Sequence, residues 1–586
     1  MSKLWKILPP PPETFFGEFP ELPPLVATLL YHRNLRTPVA IDEFLHPEYA
    51  THVYDPFLFR DMEKAVARIF LAKERQEKIT VHGDYDADGV SASVILASLF
   101  SLLGIEFDVF LPHRETDGYG LNPNTVRLLA EGGTNLIITC DCGISNRPEV
   151  ILANELGMDI IITDHHSIPA ELPPAYAIVH PKIDGETYPD KNLAGGGVAF
   201  KLVQGILREH QKTHAVLPNG EGHMAFEKWL LDMVAIASVA DMVPLIGESR
   251  TLTKYGLIVL NKTRRIGMQK LLLEARLLHT DGSSRKEITA DTIGFQIAPR
   301  INAAGRMNHA NVAYNLFVTQ SPIEATDLAF ELNQNNQDRQ KLTEDLVKRA
   351  MTQVSGQKEK PILFVLGEGW PTGIVGLIAS RIKEQYQKPT IVMAKNDMIT
   401  GSGRSVTGFN MIGTMQEMPE FFFKFGGHPM ACGFTLKNET ERESFQAALI
   451  AKYHEKMSGI DTQPILPIDA EITLEEVDWE LFDVLDTFKP FGQANERPKY
   501  LSRGLTVVKV EPVGAEGKHL RIMVKHHTPK IKKTIGWNLC STANGGTNWG
   551  AILKPGDKID MVYEIDVNEW NGSRELQLKI VDLKKV

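Results

Sequence analysis

Residues 79–89 read Ile-Thr-Val-His-Gly-Asp-Tyr-Asp-Ala-Asp-Gly, an apolar run that leads into one imidazole and three carboxylates. The apolar part predicts a buried β-strand, and the Asp-rich part predicts the loop that follows it. Two later apolar runs end in the same way, because Leu136 to Thr139 leads to Asp141 and Ile160 to Thr163 leads to Asp164. Short apolar runs that alternate with helical stretches predict a largely parallel sheet wrapped by helices.

These carboxylates and imidazoles predict a metal site. The carboxyl ends of parallel strands meet in one crevice, and Asp241, after the apolar run that ends at Ala240, adds a further carboxylate. Clustered carboxylates raise one another's pKa unless a cation lies between them. Oxygen ligands mixed with imidazole suit Mn²⁺ or Mg²⁺, and two such ions can activate water for attack on a phosphate ester. The alternative is that each Asp is only a helix N-cap or turn residue.

The same segments carry a family resemblance. Four of them resemble motifs of the DHH phosphoesterase superfamily: Asp84 to Gly89, Asp141 to Gly143, Asp164 to His166 and Ala240 to Val243. Three more resemble motifs of the bacterial RecJ family of single-stranded-DNA-specific exonucleases: Pro299 to Arg306, Gly401 to Ser405 and Gly426 to His428. With Pro490-Phe491-Gly492 and the strands after it, the resemblance extends over nearly the whole chain.

The resemblance implies two divalent cations, Mn²⁺ or Mg²⁺. Their ligands would be His82, Asp86 and Asp141 for one ion, and Asp88, Asp141, His165 and Asp241 for the other. Three catalytic residues would lie beside these ligands: Asp84, Asp164 and His166. Of these, His166 would touch the scissile phosphate or act as a general acid, and Asp164 would orient a ligand.

Phosphate recognition requires guanidinium and backbone N–H groups. The substrate-binding residues that the resemblance implies are Arg114, Asn302, Arg306, His309, Ser402, Arg404 and His428. Of these, Arg114, Ser402 and Arg404 would recognise the 5′ end of the strand. We expect Gly401 to Ser405 and Gly426 to His428 to be ligand-binding turns, with a simple hairpin as the alternative for Gly401 to Gly403. Gly195 to Gly197 predicts either an anion site at a helix N-terminus or close helix packing.

Length and composition limit the class of protein. The chain has 586 residues, of which 43% are hydrophobic and 23% charged, so we expect several globular domains. The balance of 63 basic and 73 acidic residues gives a net charge of −10, which argues against a surface that coats DNA everywhere. The spacing of Cys140 and Cys142 does not suit zinc. The sequence has no apolar run of the roughly 20 residues that are needed to cross a membrane. We therefore expect a cytoplasmic protein.

The fold predicted is α/β, with five segments. They are an N-terminal arm over 1–45, a DHH phosphoesterase domain over 46–320, a connecting helix over 321–357, a DHH-associated phosphate-binding domain over 358–455, and an OB-like β-barrel that binds single strands over 456–586. In the barrel, Lys518, Arg521, Lys525 and Trp537 are the predicted DNA contacts. The alternative is that tryptophans fill the barrel core and lysines protect a strand edge.

The residues and their spacing predict a two-metal phosphoesterase, and the resemblance implies a 5′→3′ exonuclease on single-stranded DNA that releases 5′-mononucleotides, with roles in DNA repair and recombination. One alternative is a DHH phosphodiesterase for short oligonucleotides or cyclic dinucleotides. Another is a non-catalytic replication scaffold on the same fold, which predicts broken metal motifs. The expected partners are single-stranded DNA, a single-strand-binding protein and a RecQ-type helicase. We expect a monomer with no membrane association.

Overall fold

The computed structural model describes residues 3–460, 462–542, 546–570 and 573–586. The chain forms two compact units. One combines the N-terminal residues up to Glu48 with the residues from Gln463 onward, and the other is Tyr49–Thr462. Within the described residues, no helix is both long enough and apolar enough to cross a bilayer.

The N-terminal segment belongs to the first of these units. Its elements are β1 Leu4–Ile7, α1 Glu13–Glu18, α2 Pro24–His32 and α3 Pro38–Leu45. Strand β1 pairs in parallel with Ile465–Ile468, and the Phe44 ring meets the Phe488 ring edge-on at 5.2 Å between centroids. The N-terminal arm therefore packs on residues of the same unit that forms the barrel.

The first α/β domain begins the second unit. Its first elements are α4 Tyr49–His52, a 3₁₀ turn Pro56–Leu58, α5 Met62–Glu74, β2 Lys78–His82, α6 Ala87–Leu103, β3 Phe107–Phe110, α7 Pro123–Glu131, β4 Thr134–Cys140, α8 Arg147–Glu155, β5 Asp159–Thr163, β6 Ala177–Val179 and α9 Gly195–Gln211. The sheet has the order β3-β2-β4-β5-β6, and every pairing is parallel, as predicted. His82 pairs with Thr139 and Cys140 with Thr163, so the strands end side by side.

Further helices complete this domain. They are α10 His223–Trp229, α11 Leu231–Ala240, α12 Gly247–Leu260, α13 Ile266–Glu274, α14 Ala290–Thr292, a π-helical turn Ile293–Ile297, α15 Ala298–Met307, α16 Asn311–Val318 and the long α17 Pro322–Ser355. The side chain of Ser321 caps α17 by accepting from the N–H of Glu324, and Pro322 occupies its first turn. Helix α17 is the predicted connector.

The second α/β domain follows α17. Its elements are β7 Leu363–Glu368, α18 Thr372–Tyr386, β8 Thr390–Lys395, β9 Ile399–Arg404, α19 Met411–Gln416, a 3₁₀ turn Pro419–Phe421, β10 Phe422–His428, β11 Ala431–Leu436, a 3₁₀ turn Glu439–Glu441 and α20 Arg442–Met457. The sheet is mixed, with the order β10-β11-β9-β8-β7, in which only β7 and β8 pair in parallel.

Two glycine-rich segments of this domain differ from the prediction. Gly401 to Arg404 lies in β9 and Gly426 to His428 in β10, so neither segment is a turn. A Cβ atom on Gly401 would lie 2.3 Å from the Phe434 ring, and one on Gly403 would lie 2.3 Å from Met411 Sδ. Glycine is needed here because side chains press against the strand, and not because the chain reverses.

The C-terminal residues form a closed barrel with additional elements. They are β12 Ile465–Ile468, β13 Ala470–Glu471, α21 Trp479–Asp486, β14 Tyr500–Val513, a 3₁₀ turn Ala515–Gly517, β15 His519–Lys525, β16 Lys532–Gly536, α22 Trp549–Ile552, β17 Lys558–Trp570 and β18 Ser573–Lys585. The barrel order is β14-β15-β16-β18-β17, and the sheet closes because β17 also pairs with β14. This is the predicted OB-like architecture.

Candidate metal and phosphate site

The loop between β2 and α6 carries three aspartates. Asp86 is the N-cap of α6, and its Oδ1 accepts from the N–H of Asp88 at 2.9 Å. The carboxylate of Asp88 in turn accepts from the N–H of Gly195 at 2.8 Å and of Gly196 at 2.6 Å, at the start of α9. One oxygen of Asp86 therefore acts as the helix cap that was the alternative to a metal ligand. The anion expected at the N-terminus of α9 is the carboxylate of Asp88.

The imidazole of His165 brings three further strand and helix ends together. Its Nε2 lies 3.1 Å from Asp141 Oδ1, 3.6 Å from Asp241 Oδ2 and 3.7 Å from Asp88 Oδ2. Asp141 has φ 62°, a left-handed conformation that is unfavourable outside glycine and that often occurs at functional sites. A Cβ atom on Gly195 would lie 2.5 Å from the Cβ of Asp141, so α9 starts directly against this aspartate.

Three sets of side chains have their ligand atoms within 4.8 Å of one another. They are Asp141, His165 and His166; Asp88, His165 and Asp241; and Asp84, Asp86 and Asp141. The third set differs from the expected one, in which His82 accompanied Asp86 and Asp84 lay beside the ligands. The ring of His82 stacks on Phe110 and its Nδ1 lies 3.7 Å from Cys142 Sγ.

The site fits a divalent cation. Four of its buried atoms have no hydrogen-bond partner among the described residues: His82 Nε2, Asp84 Oδ1, Asp141 Oδ1 and His165 Nε2. Burial and neighbouring carboxylates raise the pKa of Asp84 to about 8 and that of Asp141 well above its usual value. Burial lowers the pKa of His82 to about 4 and that of His165 to about 3, which keeps their lone pairs available. Buried oxygen and nitrogen ligands of this kind suit Mn²⁺ or Mg²⁺.

The buried Asp164 and the half-buried His166 form a pair beside this site. Asp164 accepts from His166 Nδ1 at 2.8 Å and from the backbone N–H of Ile144 at 3.0 Å. Burial alone would raise the pKa of Asp164, but the hydrogen bond and charge of His166 lower it. Burial alone would lower the pKa of His166, but Asp164 raises it to about 9. The pair holds the His166 ring at a fixed orientation.

Two features of the site were missed in the sequence. The hydroxyl of Tyr119 donates to the backbone oxygen of Asp141 at 3.0 Å and lies 3.1 Å from His166 Nδ1. Lys182 Nζ donates to the backbone oxygen of His165, and His180 Nε2 lies 3.0 Å from that of His166.

The contacts of His180 and Lys182 could have been anticipated from the sequence, because His180-Pro181-Lys182 directly follows β6, a strand of the same sheet. Tyr119 stands between Gly118 and Gly120, both with positive φ, which reads as an ordinary turn.

The predicted phosphate ligands converge between the two α/β domains. Arg404 donates to Ser402 Oγ at 2.8 Å and to Ser380 Oγ at 3.1 Å. Arg306 Nη1 donates to the backbone oxygen of Gly373 at 2.7 Å, and Arg114 stacks 3.9 Å from the centroid of the Tyr85 ring. Burial lowers the pKa of Arg306 to about 10, and the charges of Arg114, Arg339 and Arg404 contribute to this lowering.

The other three predicted substrate residues have different environments. Asn302 Oδ1 accepts from the N–H of Ala87 at 2.7 Å, so it positions the start of α6. The ring of His309 lies 5.9 Å from that of His113, measured between centroids. Burial lowers the pKa of His428, and the charges of His166 and Lys182 lower it further.

The predicted DNA contacts lie on the outer surface of the barrel. Arg521 and Lys525 are exposed on β15, which lies between β14 and β16 and is not an edge strand. Trp537 is 59% exposed and meets the His519 ring at 4.7 Å between centroids, while Lys518 pairs with Glu516 at 2.7 Å. Trp537 is therefore not a core residue, and Arg521 and Lys525 do not lie on an edge strand, so the alternative interpretation does not apply to these three residues.

Comparison with known proteins gives three family matches along the chain. They are the DHH family N-terminal domain at residues 78–238, the DHHA1 domain at 358–455 and the RecJ OB domain at 468–582. The single-stranded-DNA-specific exonuclease RecJ of Bacillus subtilis is 36% identical over 95% of this chain and 68% of its own length. The Escherichia coli exonuclease of the same name is 31% identical over 96% of both chains. The chain belongs to the RecJ family.

Solved structures support the same assignment. The crystal structure of Thermus thermophilus RecJ in complex with Mn²⁺ matches 100% of this chain and 80% of its own, with a TM-score of 0.81 and 27% identity. A structure of that RecJ in complex with Mg²⁺ matches with a TM-score of 0.75 and 25% identity. This RecJ family member is therefore a metal-dependent exonuclease with DHH, DHHA1 and OB domains, and its acidic and imidazole cluster can hold the metal.

Proposed function

We propose that the chain removes 5′-mononucleotides from the 5′ end of single-stranded DNA, with two divalent cations bound. The observation that carries this proposal is the set of carboxylates and imidazoles around His165, four of whose buried atoms have no partner among the residues that the structure describes, in a chain of the RecJ family. When bound, the cations supply an activated water and stabilise the leaving oxygen of the phosphodiester. The roles given to individual residues below are part of the proposal.

Residues of both α/β domains would hold the strand. Arg404 and Ser402, which hydrogen-bond each other, bind the 5′-terminal phosphate together with Arg114. A terminal phosphate held there, with hydrolysis at the carboxylates, sets the 5′→3′ polarity. Asp164 accepts from His166 Nδ1 and leaves the other ring nitrogen for the scissile phosphate or the leaving oxygen. Arg521, Lys525 and Trp537 bind single-stranded DNA on the barrel through phosphate contacts and base stacking.

Neither alternative function is favoured. A phosphodiesterase for very short or cyclic substrates would leave the basic and aromatic barrel surface without a role. A non-catalytic scaffold predicts broken motifs, whereas every predicted metal ligand is present and seven of the predicted residues stand in the three ligand sets.

We further propose that the protein works as a cytoplasmic monomer in DNA repair and recombination, with a single-strand-binding protein and a RecQ-type helicase as partners. The helicase would supply single strands from duplex DNA, and the binding protein would keep them unpaired. Supporting this, the RecJ OB domain match covers the barrel with its exposed basic face.

The test is digestion of a single-stranded oligonucleotide labelled in turn at each end, with Mn²⁺ or with chelator, beside duplex DNA, a dinucleotide and pyrophosphate. We expect early release of labelled mononucleotide from the 5′ end only, lost with chelator and absent on duplex. Consumption of the dinucleotide or pyrophosphate while the long strand persists would contradict the proposed substrate.

A further inference from the structure

Two buried donors on the connecting helix have no partner. Arg339 Nε and Asn335 Nδ2 make no hydrogen bond within the described part of the chain, and the spacing of four residues places them on one face of α17. Arg114 Nε, among the predicted phosphate ligands, is a third buried donor in the same condition. Buried N–H groups are nearly always paired in proteins, so unpartnered ones at neighbouring positions indicate a missing acceptor.

The charges around these donors favour an anion as the missing acceptor. The positive charges of Arg114, Arg339 and Arg404 lower the pKa of Arg306, and that of Arg381 on α18 lowers the pKa of Arg339. Among the described residues, no carboxylate forms an ion pair with Arg306, Arg339 or Arg404, although Asp86 acts on Arg306 from a greater distance. Guanidinium groups packed together without counter-ions repel one another, and a bound anion removes this repulsion.

The donors are held in place for this anion. Arg339 donates to Asn336 Oδ1 at 2.8 Å, and Asn336 is itself only 2% exposed, so one edge of the guanidinium is fixed and Nε is left for a ligand. Asn335 adds a neutral amide donor one helical turn earlier. The Nε of this planar guanidinium and the amide of Asn335, both without an acceptor among the described residues, match the oxygens of a phosphate group.

We propose that Asn335 and Arg339 of α17 bind a second phosphate group of the strand, next to the terminal phosphate bound at Ser402 and Arg404. This inference rests on the proposed function, because it takes the strand to lie between the two α/β domains. The second phosphate comes either from a 5′-di- or triphosphate end or from an internal linkage near the 5′ end. The helix that joins the domains is then part of the substrate site and not only a connector.

Binding of a 5′-phosphorylated single strand to the full chain tests this, measured by fluorescence anisotropy in chelator so that no cleavage occurs. We expect Arg339→Gln to weaken binding about tenfold, as for the loss of a charged hydrogen bond. The slope of log Kd against log salt should fall by about 0.7, the value for one phosphate contact on a single strand. Arg349→Gln, an exposed position on the same helix, is the matched control and should change neither quantity.

A second variant guards against misfolding. Asn335→Asp keeps the size of the side chain but places a carboxylate at the expected phosphate, so it should weaken binding at least as much as Arg339→Gln. Thermal melting of each variant confirms that it is folded.

Modified strands identify the source of the phosphate. If a neutral methylphosphonate at one internal linkage removes the difference between the wild type and Arg339→Gln, the phosphate is internal. If a 5′-triphosphate strand binds the wild type more tightly than a 5′-monophosphate strand, but not the variant, the phosphate is terminal.

Equal Kd and salt slope for the wild type, Arg339→Gln and Asn335→Asp would overturn the inference, even if the chain cleaves DNA normally. The reverse result, binding that depends on Arg339 in a chain that never cleaves DNA, would contradict the proposed function and not this site.

Discussion

Asp141 takes part in two of the three ligand sets and is held in a left-handed conformation against the first turn of α9. Its carboxylate is the element common to both predicted ions. We expect Asp141→Asn to reduce cleavage of a labelled single strand by more than about a hundredfold, because loss of residues that only support metal ligands already costs 10–100-fold. DNA binding, measured by anisotropy, should be largely retained.

Asp108→Asn is the control for this change, because Asp108 is an exposed carboxylate on β3 of the same sheet. Retained activity of Asp141→Asn would contradict the bridging role.

Metal binding should also stabilise the fold independently of activity. The buried carboxylates of Asp84, Asp88 and Asp141 have raised pKa values from burial and mutual repulsion, and a cation removes both costs. We expect Mn²⁺ to raise the melting temperature of chelator-treated protein, with a gain of about 2.7 kcal/mol at a hundred times its Kd. Differential scanning fluorimetry measures this, and the shift should shrink in Asp141→Asn. An unchanged melting temperature in the wild type would argue against a buried cation.

At the residue scale, the sequence predicted which side chains cluster where two signals coincide: a metal-binding residue type and a position just after a strand. Asp88, Asp141 and His165 follow or flank strand ends, and such ends meet at one edge of a parallel sheet. The grouping of Asp84 with Asp86 and Asp141 was beyond the sequence, because spacing along a loop does not determine which carboxylates approach one another. The role that we propose for Asn335 and Arg339 could not be predicted from the sequence, because a polar face on a long helix usually faces water.

At the scale of elements, the start of α9 joins fold and site, because the backbone of Gly195 touches both Asp88 and Asp141. We expect Gly195→Ala to cost about 1–3 kcal/mol of stability through overpacking and to reduce cleavage strongly by displacing Asp141. Chemical denaturation and the cleavage assay measure the two effects. Gly222→Ala, before α10, has no atom within 4 Å of the added Cβ and should change neither.

The strand β9 shows where element prediction fails. Gly401 and Gly403 were read as a turn because glycine marks turns more often than strands. Their real constraint comes from Phe434 and Met411, which are more than seven residues away and occupy the space of a Cβ atom. A single sequence gives no indication of such contacts between distant residues. The strands β2, β4 and β5 were predicted because each is a run of consecutive apolar residues, which indicates a buried strand.

At the scale of the whole molecule, helix α3 packs on residues more than 400 positions later. Phe44 is 2% exposed and contacts the Phe488 ring. We expect Phe44→Ala to destabilise the unit that contains the barrel by about 3–5 kcal/mol, as for other buried phenylalanines. The free energy of unfolding followed by Trp fluorescence tests this. Val39→Ala on the same helix, at a position 77% exposed, should change it by less than about 0.5 kcal/mol.

The same unit should respond to pH through His32. Its Nδ1 lies 3.7 Å from Asp469 Oδ1, and this neighbouring carboxylate raises the pKa of His32 although burial opposes it. A raised folded pKa gives stability that is complete below the unfolded value of about 6.5 and is lost as pH rises through the folded value. We expect His32→Gln to cost about 1 kcal/mol at pH 5.5 and almost nothing at pH 9. An equal loss at both values would show that the imidazolium charge is not involved.

The predicted domain limits rested on local pattern, which identified the connecting helix and the change from helices to strands near residue 460. Local pattern could not show that residues 1–45 pack with the barrel. The apolar faces of α1 to α3 can be recognised in the sequence, but the sequence does not show which apolar surface covers them. That placement depends on contacts between distant parts of the chain, such as Trp5 Nε1 with Asp582 at 2.8 Å.

The order of synthesis gives this arrangement a further consequence. The unit that begins the chain is completed only by its end, with 414 residues between Glu48 and Gln463. At about 5–20 residues per second, a ribosome needs roughly 20 to 80 s to deliver the missing part. During that time Phe15, Leu29 and Phe44 have no barrel to cover them. The nascent chain thus exposes an apolar segment throughout translation, which makes its N-terminal residues a natural place for chaperones to act.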